Sequence, residues 1–157
     1  MNLFYPEQVV YENISEMMQG YAEQAVSAAR EMNITLDYRE ESIEQLENIL
    51  ARLYRERPVF LGKAAPGEDD PTQKQIDSMS RIWGGYFGEV IRRRWGGEWT
   101  LETYPGTVAP VVTLDVDGAK IFPAMKVYRR LSNGVSDNVA KFYSMIKDKI
   151  QKNRKVQ

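Results

Sequence analysis

Three glycines inside an otherwise helical stretch constrain this chain more than any other feature. Residues 82–99 read IWGGYFGEVIRRRWGGEW. Glycine costs a helix about 1 kcal/mol relative to alanine, so its repeated use here needs a compensating reason. At ~100° per residue, Gly84, Gly85 and Gly88 gather on one side, and Trp83 and Val90 centre an apolar stripe on the other. The segment is expected to be a central helix packed on two sides, with something pressed close against the glycines. The Gly84 and Gly88 spacing also matches paired membrane helices. Arg92, Arg93 and Arg94 and the short apolar length argue against a span.

The elements around this helix follow from periodicity and punctuation. Val10, Ile14, Met17, Tyr21, Ala25, Ala28 and Met32 recur at helical spacing, and Pro6 suits a first turn, so one long helix is expected over residues 7–32. A second helix is expected over about 39–55, with Ile43, Leu46, Leu50 and Leu53 on one face and Pro58 as its stop. Residues 62–70 (GKAAPGEDD) read as a loop, with Asp70 capping the third helix and Pro71 as its first residue. That helix carries Ile76, Met79, Trp83, Phe87, Val90 and Ile91, and Gly96 and Gly97 end it. Strand patterns follow at 98–104, 111–116 and 119–122, the last two joined by the hairpin signal Asp117-Gly118. Pro123 opens a short helix that ends at Asn133-Gly134. Ser136 or Asp137 is expected to cap a last helix bearing Val139, Phe142, Tyr143, Ile146 and Ile150, and the basic tail 147–157 is expected to fray. The expected fold class is α+β: about five helices with a small three-stranded antiparallel meander between the third and fourth, in a single domain over 1–157.

The chain lacks both cysteine and histidine. Thiolate chemistry, disulfides, the usual zinc sites and His-dependent nucleophile systems are thereby excluded. A general acid or base would have to be Asp, Glu, Lys or Tyr with a shifted pKa. No cofactor or metal is expected. No basic region followed by an apolar run opens the sequence, so no secretion signal is expected and the anticipated location is cytoplasmic. No run of apolar residues is long enough to cross a bilayer. Net charge is −1 but divided: residues 1–70 hold 14 acids and 6 bases, and residues 71–157 hold 8 acids and 15 bases. Such a division either marks a basic binding face or is compensated where the halves pack.

Glu89 falls off the apolar stripe, where Arg92 and Arg93 lie within helical reach. It reads as an intrahelical salt bridge or as a pocket-lining carboxylate. Arg94 has three open readings: snorkelling at the helix end, capping of carbonyls, or holding an anion with its neighbours near Trp95 and Trp99. Ser144-Met145-Ile146-Lys147 and Ser136-Asp137-Asn138 match motifs of penicillin-recognising enzymes, but order and spacing are wrong and Lys-Thr-Gly is absent. The run Val111 to Gly118 resembles an aspartate-nucleophile phosphatase motif, yet too little chain follows it, and a hairpin turn is the expected reading. The basic tail suits a helix C-terminus. A sequence pI near 5.6 speaks against nucleic acid as the partner.

Leu36-Asp37-Tyr38 before Ser42-Ile43, the run Gly85 to Ile91 leading into Trp99, and Phe122-Pro123, Lys126-Val127, Arg130-Leu131, Asn133-Gly134 and Phe142-Tyr143 together resemble a widespread family of small uncharacterised bacterial domains. The resemblance covers about residues 36–145 and leaves the first helix outside. It implies a bacterial cytosolic origin, transfers no catalytic role, and includes domains that sit near toxin or defence genes. The expected function is a non-enzymatic module that binds another protein, one version being an immunity or accessory protein. Its expected binding residues are Glu89, Arg92, Arg93, Trp99, Lys126 and Arg130, with no catalytic residue. The alternative is a small-molecule or anion-binding domain, with an enzyme using Glu89, Arg93 and Lys126 as its strongest form.

Overall fold

The computed structural model describes residues 13–60, 71–103, 106 and 110–156. Its elements are α1 (Ile14–Glu31), α2 (Ser42–Phe60), α3 (Pro71–Trp95), β1 (Glu98–Thr103), β2 (Pro110–Val116), β3 (Ala119–Ile121), α4 (Pro123–Asn133), a 3-10 turn (Val135–Asp137) and α5 (Val139–Val156). The architecture is α+β, with an antiparallel sheet in the order β1-β2-β3 between α3 and α4, as expected.

The glycines of α3 serve three different neighbours. A Cβ at Gly84 would lie 2.5 Å from the Ala124 Cα, so the start of α4 rests on this helix backbone to backbone. A Cβ at Gly85 would lie 2.8 Å from the Tyr21 Cβ and 3.0 Å from the Met18 carbonyl of α1. At Gly88 it would run into the Trp99 ring and approach Pro123. The helix is central, as its pattern predicts, because α1 and α4 are its main partners.

Close approach also sets the phase of α1. The expected stripe included Ile14, Met17, Ala28 and Met32. Tyr21 and Ala25 of the expected stripe are buried, and Met18, Ala22 and Ala29 are buried beside them in place of those four. The α1 backbone at Met18 to Ala22 comes up against Gly85, while Ile14, Met17, Ala28 and Met32 pack at the border, half-buried. Asn13 caps this helix by accepting the Glu16 N–H at 2.7 Å. The expected opening turns at 7–12 lie outside the described residues, as do the 62–70 loop, the Asp70 cap and Tyr104.

Four boundaries differ from expectation. Helix α1 starts at Ile14, because Asn13 is extended (φ −153°) and caps it, so no single helix runs from 7 through 32. The second helix runs through Pro58 to Phe60. A proline in the last turn removes only one backbone hydrogen bond, which is cheaper there than in an interior. The cap of α5 is Asn138, whose Oδ1 accepts from the Ala140 and Lys141 N–H groups at 2.8 and 3.0 Å. Asp137 is engaged elsewhere, by Lys126 and by Asn133 at 3.1 Å each. The tail is helical to Val156 rather than frayed. Lys147 pairs with Glu40 at 2.7 Å, and Arg154 pairs with Asp117 at 2.9 Å while donating to the Trp95 carbonyl.

The β2–β3 turn has Asp117 at φ 54° and Gly118 at φ 90°, the two positive values a two-residue primed hairpin requires. Asp115 accepts the Gly118 N–H and pairs with Lys120, so the Asp-x-Asp-Gly run is a turn. Trp99 faces Leu114, and Leu114 faces Ile121, placing these side chains over α3 as the inner face of the sheet.

Two glycines give opposite expectations. Gly84→Ala gains about 1 kcal/mol of helix propensity but forces the α4 backbone away, and should lose about 2–3 kcal/mol net. Gly20 meets nothing within 4 Å, so Gly20→Ala should gain about 0.5–1 kcal/mol. Urea denaturation of both variants checks the pair. Equal effects would contradict the close packing of α3.

Candidate functional site

The six candidate residues fall into three arrangements. Glu89 is fully buried. Arg92 grips it with Nε at 2.6 Å and Nη2 at 2.8 Å, and Arg93 Nε lies 3.5 Å away. Gly96 and Gly97, both at positive φ, turn the chain so that Trp99 comes back across Gly88. Its indole N–H then donates to Glu89 at 2.9 Å. Burial pushes the Glu89 carboxyl up, but hydrogen bonds from Arg92 and Trp99 and the charges of Arg92 and Arg93 outweigh it and hold the group below its usual range. Glu89 is thus an internal tie between α3 and β1.

Lys126 pairs with Asp137 and lies 4.9 Å from the centre of the Phe142 ring. Arg130 is only 3% exposed and holds Glu47 of α2 through Nε and Nη2 at 2.9 to 3.0 Å. Glu47 also accepts the Val139 N–H, which anchors the start of α5. As a contact face the expected set is therefore corrected. Glu89, Trp99 and Arg130 are inside, held there by charge pairing and close packing, and only Arg92, Arg93 and Lys126 reach solvent in part. Arg94 is exposed, with its guanidinium carbon 4.9 Å from the Trp95 ring centre, the snorkelling arrangement.

Tyr38 sits at φ 66°, unusual for a bulky residue. A hydrogen-bond chain fixes it. The Tyr38 N–H donates to the Tyr86 hydroxyl at 2.9 Å, and Ser42 Oγ donates to the Arg39 carbonyl at 2.6 Å. The Ser42 proton is then committed, so Tyr86 donates to Ser42 across their 2.6 Å contact. Arg93 covers the Tyr38 ring at 3.5 Å. Burial pushes both tyrosine hydroxyls up, against the lowering effect of Arg93 on Tyr38 and of Ser42 on Tyr86.

The surface best formed for contact lies elsewhere, between β3 and α5. It is a groove of about 240 Å³ floored by Ile121, Phe142, Ile146 and Ile150. Met145 stands at its rim, 68% exposed. The sheet order leaves β3 with a neighbour on one side only among the described residues. Lys149 lines the groove, and Lys141 and Lys152 lie along the same helix; none of the three makes an ion pair among the described residues. Sequence reasoning placed Phe142 and Ile146 in the core stripe and passed over Met145. The available signal was a large apolar side chain off that stripe, among lysines.

Among the described residues, no group of three or more acidic side chains could hold a metal ion, and no helix is long and apolar enough to cross a membrane. Comparisons with protein-family models, with curated proteins and with solved structures find no significant match to this chain.

Glu89→Gln strips a buried carboxylate from two arginines that still reach water, and should cost about 2–4 kcal/mol, towards the low end for a broken buried pair. The pH dependence carries a sign. A lowered folded-state pKa adds stability that is present above the usual carboxylate pKa and lost as pH falls through the lowered value. The stability gap between wild type and variant should therefore narrow on acidification. A pH-independent gap in melting curves would show that the Glu89 charge is not what the variant removes.

Proposed function

We propose that this chain is a non-enzymatic module that binds another protein through the groove between β3 and α5. One observation carries the reading: an apolar hollow lined by the exposed Met145 and by Lys149, which makes no ion pair among the described residues. Met is enriched at interfaces and adapts to the shape of a partner. Apolar floors with cationic borders favour a partner segment that is apolar on one side and acidic beside it. The charge division points the same way. Its acidic and basic halves meet in the Glu40–Lys147 and Glu47–Arg130 pairs, and α5 keeps Lys141, Lys149 and Lys152 outside any ion pair among the described residues.

The groups a catalytic reading would use are already paired, Glu89 in the core and Lys126 near the surface. Glu89 accepts from Arg92 and Trp99, and Lys126 is bound to Asp137. An accessory role beside toxin or defence genes is the version implied by the resemblance of residues 36–145.

The test is capture from lysate of the source organism, comparing wild type with a Met145→Asp/Lys149→Glu double variant. Both positions are solvent-facing, so the variant should keep its stability within about 1 kcal/mol. One stoichiometric partner held by wild type and lost by the variant is the expected result. Equal capture by both proteins would remove the groove from the reading, and turnover of a substrate by the purified protein would end the non-enzymatic assignment.

A further inference from the structure

Arg130 keeps one nitrogen without a partner. Its Nε and Nη2 hold Glu47, while Nη1 is buried with no hydrogen-bond acceptor. Buried polar groups are nearly always satisfied, and an exception on a charged donor asks what else accepts from it. Arg130 forms the inner wall of a hollow of about 490 Å³ between α2, the end of α4 and the 3-10 turn. That volume falls in the range of small-molecule sites, roughly 300–1,000 Å³. Ala51, Tyr54 and Val135 supply apolar walls, and Val135 is 72% exposed at the mouth. Arg55 also lines the hollow and makes no ion pair among the described residues.

The local charge decides the sign of the ligand. Glu47 cancels Arg130, and Arg55 leaves one positive charge unanswered. Asn133 is neutral and donates to Asp137, whose charge is answered by Lys126, so neither alters the balance. One monoanion closes the balance.

We propose that this hollow binds a small monocarboxylate with an apolar tail. The carboxylate accepts from Arg130 Nη1 and from Arg55, the arginine–carboxylate pairing that gives strong, directional bonds. The tail lies against Tyr54 and Val135. The Tyr54 ring is centred 5.8 Å from the Arg130 guanidinium carbon, and its end rests on Gly134. Nη1 does not touch solvent in this conformation, so a carboxylate reaches it only with a local rearrangement of the wall of the hollow. Free organic acids and the C-terminus of a polypeptide offer the same chemistry. This site is separate from the β3–α5 groove and stands or falls independently of it.

The test is a titration of the full, isotope-labelled chain followed by amide NMR. The probes are 3-phenylpropionate and an N-acetylated dipeptide ending in leucine, each beside its neutral carboxamide. The expected result is a saturable shift at Ala51, Tyr54, Gly134 and Ser136 with at least one carboxylate and none with the carboxamides. Response to the dipeptide alone would assign the ligand as a chain terminus, and response to the free acid would assign it as a small metabolite-type anion. Arg55→Gln, at an exposed position, should weaken binding by roughly tenfold. Val135→Asp should weaken it through repulsion. The proposal is overturned if neither carboxylate gives a saturable shift at these residues, if carboxamides act equally, or if both variants bind as wild type does.

Discussion

A helix touched closely on several sides cannot carry a side chain at every point of contact. That constraint governs α3. Its backbone meets the α4 backbone at Gly84, α1 at Gly85 and the Trp99 ring at Gly88. Each glycine gives up helix propensity, and each exchanges it for an approach that any Cβ would block. The complement on α1 is its backbone between Met18 and Ala22 with the Tyr21 Cβ, which lies close enough to use the space at Gly85. The position of Trp99 over Gly88 in turn brings its indole N–H to Glu89 and joins the sheet to the helix by a directed bond. Packing and polar satisfaction are thus one arrangement, since removing the space at Gly88 would also withdraw a donor from a buried carboxylate.

The electrostatics repeat this logic across longer distances. Acids concentrated in the first half of the sequence are used to receive cations from the second. Glu47 takes Arg130 and the first N–H of α5 together, and Glu40 takes Lys147 and the Tyr143 hydroxyl. The hydrogen bonds from Lys147 and Tyr143 hold Glu40 below its usual range. A compensated interior leaves cations on the surface, among them lysines along α5 and Arg55 at a hollow. Placement of the remaining charge, more than the net charge, gives the molecule its surface character.

Much of the fold was legible locally. Asp117-Gly118 announces its hairpin because both residues accept positive φ, and Pro123 marks a first turn because its missing N–H is unneeded there. The cap of α5 was not legible, because Ser136, Asp137 and Asn138 are three adequate caps in a row. Lys126 and Asn133 decide among them by claiming Asp137. Pro58 misled for a related reason, as the cost of a proline depends on how near the helix end it falls. The candidate site was harder still. Glu47 and Arg130 lie 83 positions apart, so no spacing rule connects them. Arginine and tryptophan next to a helix end suggested a surface, and only the return of the chain at Gly96-Gly97 shows that Trp99 is inside. The groove exists because β3 and α5 settle side by side, which neither segment states alone.

The last helix is held by many parts of the molecule at once. It is tied to the α1–α2 link through Lys147, to α2 through the Val139 N–H, to α3 through Tyr143 and Trp95, and to the β2–β3 hairpin through Arg154. Every one of these ties reaches back across the sequence. During synthesis, α1, α2 and α3 leave the ribosome well before α5 and can associate early, because domains gather their earlier elements first. Until α5 arrives, the Glu47 carboxylate lacks one of its donors and the inner faces of β3 and α4 stay wet. The final helix therefore acts as a clasp on the described elements, and the groove beside β3 is the seam between the two.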